Sequence, residues 1–117
     1  MKPKIILVLR CVKPDREKEF LESYKHNPTT KGFREEVLTK LDGSESLPIG
    51  LRNFISNENN CGILYLNIAI WDSVAEFKGE CPEAFVETDE EFDNEFWRRR
   101  AVLDVINPSA GLQSLCS

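Results

Sequence analysis

Histidine is almost missing from this chain: His26 is the only one among 117 residues. The four cysteines, Cys11, Cys61, Cys81 and Cys116, are scattered and form no C-x-x-C pair, so a tetrahedral zinc site has no ligand set to draw on. No metal and no other cofactor is expected. Cysteines spread in this way read as free thiols in a reducing cytoplasm, with disulfides as the alternative. Long apolar runs are also lacking. The N-terminal run from Ile5 to Leu9 stops at Arg10, too short for a bilayer span, and no small-residue cleavage site follows it. A membrane partner is therefore not expected.

Positive charge is scarce in the second half. Residues 1–60 carry eleven Lys/Arg against nine Asp/Glu, whereas residues 61–117 carry four against eleven, and the net charge is −5. Such a surface repels phosphate backbones, which argues against nucleic acid as a partner. Arg98, Arg99 and Arg100 follow ten acids between Asp72 and Glu95 and read as a helix C-terminus paired with the acids upstream. Gly-rich phosphate loops, G-x-S-x-G and spaced His/Cys/Asp sets are absent too. His26, before Pro28, reads as a helix-capping cation. Glu35 and Glu36 are neighbours that point apart and do not form a carboxylate pair.

What is present is ordinary globular composition, 41% hydrophobic and 30% charged, in a length that suits one domain over residues 1–117. A chain of this size buries only about two-thirds of its unfolded surface, so pairing with a second copy would help it. Residues 4–12 read as a buried strand, ended by Lys13-Pro14-Asp15. Asp15 to His26 reads as a helix with Phe20, Leu21 and Tyr24 on one stripe. Phe33, Val37, Leu38 and Leu41 predict a short helix over 32–41. Residues 51–55 read as a ragged strand, followed by a polar hairpin connection at 56–60. Residues 63–71, ILYLNIAIW, form the clearest strand. Ser73 and Glu76 make a capping box that opens a helix through Phe77. Residues 83–100 read as acidic and partly helical, residues 101–106 as a last strand, and the tail from Ser109 to Ser117 as packed on a partner or loose. The order βα(α)ββαβ is that of an α+β, ferredoxin-like βαββαβ fold with an antiparallel sheet and helices on one face. Its other face then needs a second sheet, most simply from another copy of the chain.

Alternation splits the 63–71 strand in two. Even positions (Leu64, Leu66, Ile68, Ile70) are aliphatic and suit a face packed dry against helices. Odd positions combine Tyr65, Asn67 and Trp71 with the small Ala69. A buried Asn without a partner costs about 1–3 kcal/mol, so Asn67 must hydrogen-bond something. It either holds a ligand oxygen, with Tyr65 and Trp71 on the ligand's ring, or satisfies neighbouring backbone beside interface aromatics. Arg10 sits on the row Ile6, Val8, Arg10, Val12, either facing an anionic oxygen in a cavity or snorkelling to water from the strand end.

The stretches VKPDREKEF and LYLNIAIWDSVAEF, about a third of the chain together, resemble the antibiotic biosynthesis monooxygenase-like domains of the dimeric α/β-barrel superfamily. LTKLDGSESLPIGLRNF and RRRAVLDVINP resemble an uncharacterised branch of that family. The resemblance implies a ferredoxin-like protomer that pairs sheet to sheet as a homodimer, with a pocket between each sheet and its helices. It implies oxidation of small aromatic molecules by O2 without flavin or metal, the deprotonated substrate delivering electrons to oxygen. Asn67 and Trp71 match the substrate-orienting residues of the strand motif, with Tyr65, Arg10 and Phe77 as further substrate contacts. Haem-degrading relatives place a histidine on the following helix; here none is present, and Cys81 stands nearby. Where the quinone-forming enzymes carry a tyrosine, this chain has Phe77, which leaves the base unassigned. The expected function is a cofactor-independent monooxygenase acting on a small aromatic or quinone-like substrate. The alternatives are a non-catalytic dimeric ligand-binding protein and a lyase or isomerase on the same fold.

Overall fold

The computed structural model describes residues 3–25, 31–41, 62–80 and 93–116. Strand β1, Lys4–Val12, ends at Lys13, where Pro14 opens a single 3-10 turn over Pro14–Arg16. Helix α1, Glu17–Ser23, follows with Glu17 and Glu19 at its positive end. It stops where Tyr24 turns extended, the Tyr24 N–H still donating to the Phe20 carbonyl at 2.9 Å. Strand β2 is Phe33–Lys40 and β3 is Ile63–Trp71. Helix α2, Val74–Glu80, is capped by the Ser73 hydroxyl, which accepts from the Glu76 N–H at 3.2 Å. Strand β4 is Glu95–Asp104 and helix α3 is Ala110–Cys116.

The four strands form one antiparallel sheet in the order β2-β3-β1-β4, an α+β architecture. β1 runs between β3 and β4, with Val8 opposite Asn67 on one side and Arg100 on the other. Asn67 also stands opposite Leu38 of β2. Both α1 and α2 cover the same face. Phe20 of α1 packs with Val12 and Tyr65, and Phe77 of α2 packs with Ile6, Val8, Ala69 and Trp71. This inner face holds two of the three core clusters. On the outer face Leu9, Cys11 and Trp97 form a third, flanked by Leu64, Leu66 and Phe96. Outer-face Ile5, Leu7, Ile68 and Ile70 are half-buried, and Val37 and Leu103 are exposed at the two edges.

Two irregularities in register matter for the site. β4 carries an extra residue between the partners of Cys11 and Val12, so Glu95 stands opposite Val12 on the inner face while Phe96 joins the outer cluster. A second shift lies between Phe33 and Glu35, leaving Phe33 beside Trp71. Just before it, Gly32 adopts φ +88, and a Cβ there would fall 1.7 Å from the Glu76 carboxylate. Only glycine fits both the backbone and the space. Its carbonyl accepts the Asp72 N–H at 2.7 Å, tying the start of β2 to the turn before α2.

Several expectations are corrected. Residues 33–40 form a strand, not a helix, because Phe33, Val37 and Leu38 fit either period and pairing along β3 decides between them. Residues 95–100 are strand rather than the end of an acidic helix, so no helix dipole is involved; within β4 Arg98 does pair with an acid upstream, Glu95, and Arg99 lies over the Trp97 ring. Leu21 is 48% exposed, since α1 is only seven residues long and buries Phe20 alone. The helices cover the odd face of β3, not the even one: the aromatic rings of Phe20 and Phe77 pack on Tyr65 and Trp71, with Ala69 making room. The tail forms α3, held where Arg34 donates to the Leu115 carbonyl at 3.1 Å. The strand at 51–55, the connection at 56–60, the segment 83–92, His26, Cys61 and Cys81 lie outside the described residues.

Ile6 is 0% exposed at the centre of the inner-face cluster. Ile6→Ala should lower unfolding free energy by about 2–5 kcal/mol in denaturant titration, whereas Leu21→Ala should change it by about 0.5 kcal/mol or less.

Candidate functional site

Register and alternation together place Arg10, Tyr65, Asn67 and Trp71 on the inner face of β1 and β3, under the two helices. Phe77 reaches the same face from α2. All five residues singled out from the sequence therefore share one side of the sheet. They divide into an aromatic end and a polar end.

At the aromatic end, Trp71 is 0% exposed and lies between two rings, edge-on to Phe33 at 5.3 Å and tilted against Phe77 at 5.5 Å. Aromatic pairs at such separations add about 0.5–1.5 kcal/mol beyond area burial. The indole N–H of Trp71 has no hydrogen-bond partner among the described residues.

Asn67, 7% exposed, stands between the two ends. Its amide nitrogen donates to the Tyr24 hydroxyl at 2.5 Å and to the Glu36 carboxylate at 3.4 Å. Tyr24 comes from the end of α1 and Glu36 from β2, so one amide joins three elements. The next polar residue along β3, Tyr65, donates from its hydroxyl to Glu17 at 2.6 Å, and Lys40 pairs with the same carboxylate oxygen at 2.9 Å.

Arg10 belongs to a half-buried charge cluster rather than snorkelling from the strand end. The bulge in β4 brings Glu95, 3% exposed, against Arg98, whose guanidinium donates two hydrogen bonds at 3.0 and 2.7 Å. Arg10 pairs with the same carboxylate at 3.5 Å and lies 5.6 Å from the Tyr24 ring centre and 5.9 Å from that of Phe20. Two guanidinium groups thus share one carboxylate. The Arg10 Nε is buried and, like the Trp71 indole, has no hydrogen-bond partner among the described residues.

Burial governs ionisation here. It lowers the Arg10 pKa from its ordinary value, with Glu95 opposing and Arg98 reinforcing the shift. It pushes Tyr65 up to about 12, assisted by the hydrogen bond to Glu17. Tyr24 is also raised, first by burial and then by the charge of Glu36, while Arg10 and the Asn67 hydrogen bond pull it down. Glu17 is lowered by its hydrogen bonds from Lys40 and Tyr65. On the outer face, burial raises the Cys11 thiol to about 11. Cys11 and Cys116 are free and buried.

Sequence reasoning missed Tyr24, Glu36, Glu95, Glu17 and Arg98 as members of this cluster. A strand parity applied to residues 33–40 puts Glu36 in step with Leu38 and Lys40, which was the available signal. Glu95 carried none, because its orientation depends on a bulge. No metal-holding group of three or more His, Cys, Asp or Glu occurs among the described residues. Nor is any helix among them long and apolar enough to cross a membrane. Comparison with protein-family models and with curated proteins finds no match to either.

The chain has only two tyrosines, and both are shifted upward from the usual 10.0. The folded chain therefore keeps phenolic protons that the unfolded chain releases, and stability present below pH 10 declines as pH rises toward 12. Ultraviolet titration of the native protein should show little tyrosinate at pH 10.0, and unfolding should restore it. A native midpoint at the ordinary value for either residue would contradict this burial.

Proposed function

We propose that the chain is a cofactor-independent monooxygenase that oxidises a small aromatic, quinone-forming substrate with O2. The observation that carries this reading is the pair of buried donors, Arg10 Nε and Trp71 Nε1, both without partners among the described residues and both on the face that bears Asn67. A buried N–H left unpaired costs about 1–3 kcal/mol, and an oxygen-bearing ring lying between sheet and helices would recover that cost. Asn67 holds the substrate's oxygen in exchange for its long 3.4 Å contact with Glu36, Trp71 and Phe77 flank its ring, and Arg10 supplies positive charge to the oxyanion that forms on deprotonation. Tyr65 shapes the polar end through its ring, since its hydroxyl is engaged by Glu17.

The reaction converts a ring methylene to a carbonyl. One oxygen atom of O2 enters the new carbonyl, and the other leaves as water with the two methylene hydrogens. The carbon is oxidised and O2 is reduced, so no external electron donor is required.

The protomer in this reading is ferredoxin-like, supported by the order βαββαβ before α3 and the strand sequence β2-β3-β1-β4. Two copies pair through their outer faces in a homodimeric α/β barrel. The apolar outer row through Leu7 and Ile68, with exposed Val37 and Leu103 at its edges, supports that pairing. The buried free thiols Cys11 and Cys116 fit a reducing cytoplasm.

A second reading, a non-catalytic dimeric binding protein, is favoured by Phe77 standing where the quinone-forming enzymes carry a tyrosine. Oxygen uptake decides between them. Purified, metal-stripped protein should consume dissolved O2 with an anthrone, hydroquinone or naphthol, and Asn67→Ala should abolish uptake while the protein stays folded. Lack of uptake across that panel would sink the oxygenase reading in favour of the binding protein. Separately, Ile68→Asp places a carboxylate on the outer face and should convert the sedimenting species from dimer to monomer. A wild-type monomer at micromolar concentration would refute the pairing.

A further inference from the structure

We infer that Glu76 is the base that removes the substrate's acidic proton, an assignment that rests on the oxygenase reading and deepens it. Ser73 and Glu76 have the spacing of a capping box, in which the glutamate ordinarily reaches back to the N–H of the capping serine. Only half of that box is made. The Glu76 N–H donates to the Ser73 hydroxyl at 3.2 Å, but the carboxylate is turned across to Gly32 at the start of β2. Its Oε2 is buried there without a hydrogen-bond partner, and among the described residues no other carboxylate has an oxygen in that state. Glu17 is engaged by Tyr65 and Lys40, Glu95 by Arg98 and Arg10, and Glu36 by Asn67.

The Glu76 carboxylate lies at the aromatic end of the inner face. Gly32 leads into Phe33, which meets Trp71 edge-on at 5.3 Å, and Phe77, next to Glu76 on α2, packs on the same indole at 5.5 Å. The Trp71 N–H is itself buried and without a partner among the described residues. An acceptor and a donor are thus both left unsatisfied at one end of the face, and they do not satisfy each other. A methylene that becomes a carbonyl has both needs at one carbon: it first gives up a proton and then bears an oxygen. Asn67 stands four residues before Trp71, about 13 Å away along β3. A ring bridges that span with its existing oxygen on the Asn67 amide and its methylene toward Glu76.

In the step itself a methylene C–H bond breaks and its proton passes to a Glu76 oxygen. The electron pair stays on the substrate as an enolate, whose oxygen is held by Asn67 and faces Arg10. The carbanion reduces O2, which bonds to the same carbon as a peroxide. Water then leaves with the second methylene hydrogen and the proton returned by Glu76, and the new carbonyl oxygen accepts from the Trp71 N–H.

The test separates deprotonation from oxygen chemistry. Anaerobic incubation of anthrone in deuterated water reports proton removal alone, by exchange of the methylene hydrogens. Wild-type protein should accelerate exchange, Glu76→Gln should lose about 100-fold or more of that acceleration, and Glu76→Asp should retain part of it. Binding of anthraquinone, followed by quenching of tryptophan emission, checks that the site survives. Glu76→Gln should bind it at least as tightly as wild type, because a quinone offers a carboxylate no proton. Exchange that is absent in wild type, undiminished in Glu76→Gln, or lost instead in Glu36→Gln overturns the assignment. Quinone binding lost together with exchange in Glu76→Gln overturns it too, since Glu76 then only holds the site's shape. Exchange that depends on Glu76 without any O2 uptake keeps the base and sinks only the oxygenase reading.

Discussion

A primary amide buried at the centre of a sheet must find hydrogen-bond partners, and that constraint at Asn67 organises the inner face. Its N–H groups reach the last residue of α1's capping turn and a carboxylate on the edge strand β2. Without them the site would carry an unsatisfied group costing about 1–3 kcal/mol, a sizeable fraction of a small domain's stability. With them, Tyr24 is held where it closes the end of α1 against the sheet. The position of the short helix, the orientation of Glu36 and the separation of the aromatic from the polar end all follow from the one amide.

The charge cluster at the other end obeys a related rule. Arg10 and Arg98 are cross-strand neighbours, a repulsive arrangement in a partly dry environment. The bulge in β4 resolves it by turning Glu95 inward between them. A regular strand would have sent Glu95 outward and left two guanidinium groups facing each other. The irregularity is thus an electrostatic device, and with two guanidinium groups on one carboxylate it leaves a surplus of positive charge on the inner face.

Much of this was legible in the sequence, and the exceptions have specific causes. β1 and β3 are dense in β-branched and aliphatic residues, and Ser73 with Glu76 marks the start of α2, so local chemistry sufficed there. Residues 33–40 and 95–100 mix charge and apolar residues so evenly that periodicity does not distinguish helix from strand; pairing with a neighbour does. The same division holds for the site. Tyr65, Asn67 and Trp71 could be grouped by alternation within a single strand. Which of the two rows would meet the helices could not, because that depends on the aromatic rings α1 and α2 bring to it. Tyr24, Glu36 and Glu95 join the group only through register and a bulge, properties of two strands together.

The two tryptophans of the chain lie on opposite sides of the sheet. Trp71 is stacked among rings under the helices, and Trp97 is buried against Leu9 and Cys11 with the Arg99 guanidinium 4.9 Å from its ring centre. The molecule therefore has a separate natural fluorophore for each surface. Emission from Trp71 senses what enters between sheet and helices, and emission from Trp97 senses what is laid against the other side. With either indole replaced by phenylalanine, the two faces of the sheet become two distinct optical signals from one unlabelled chain.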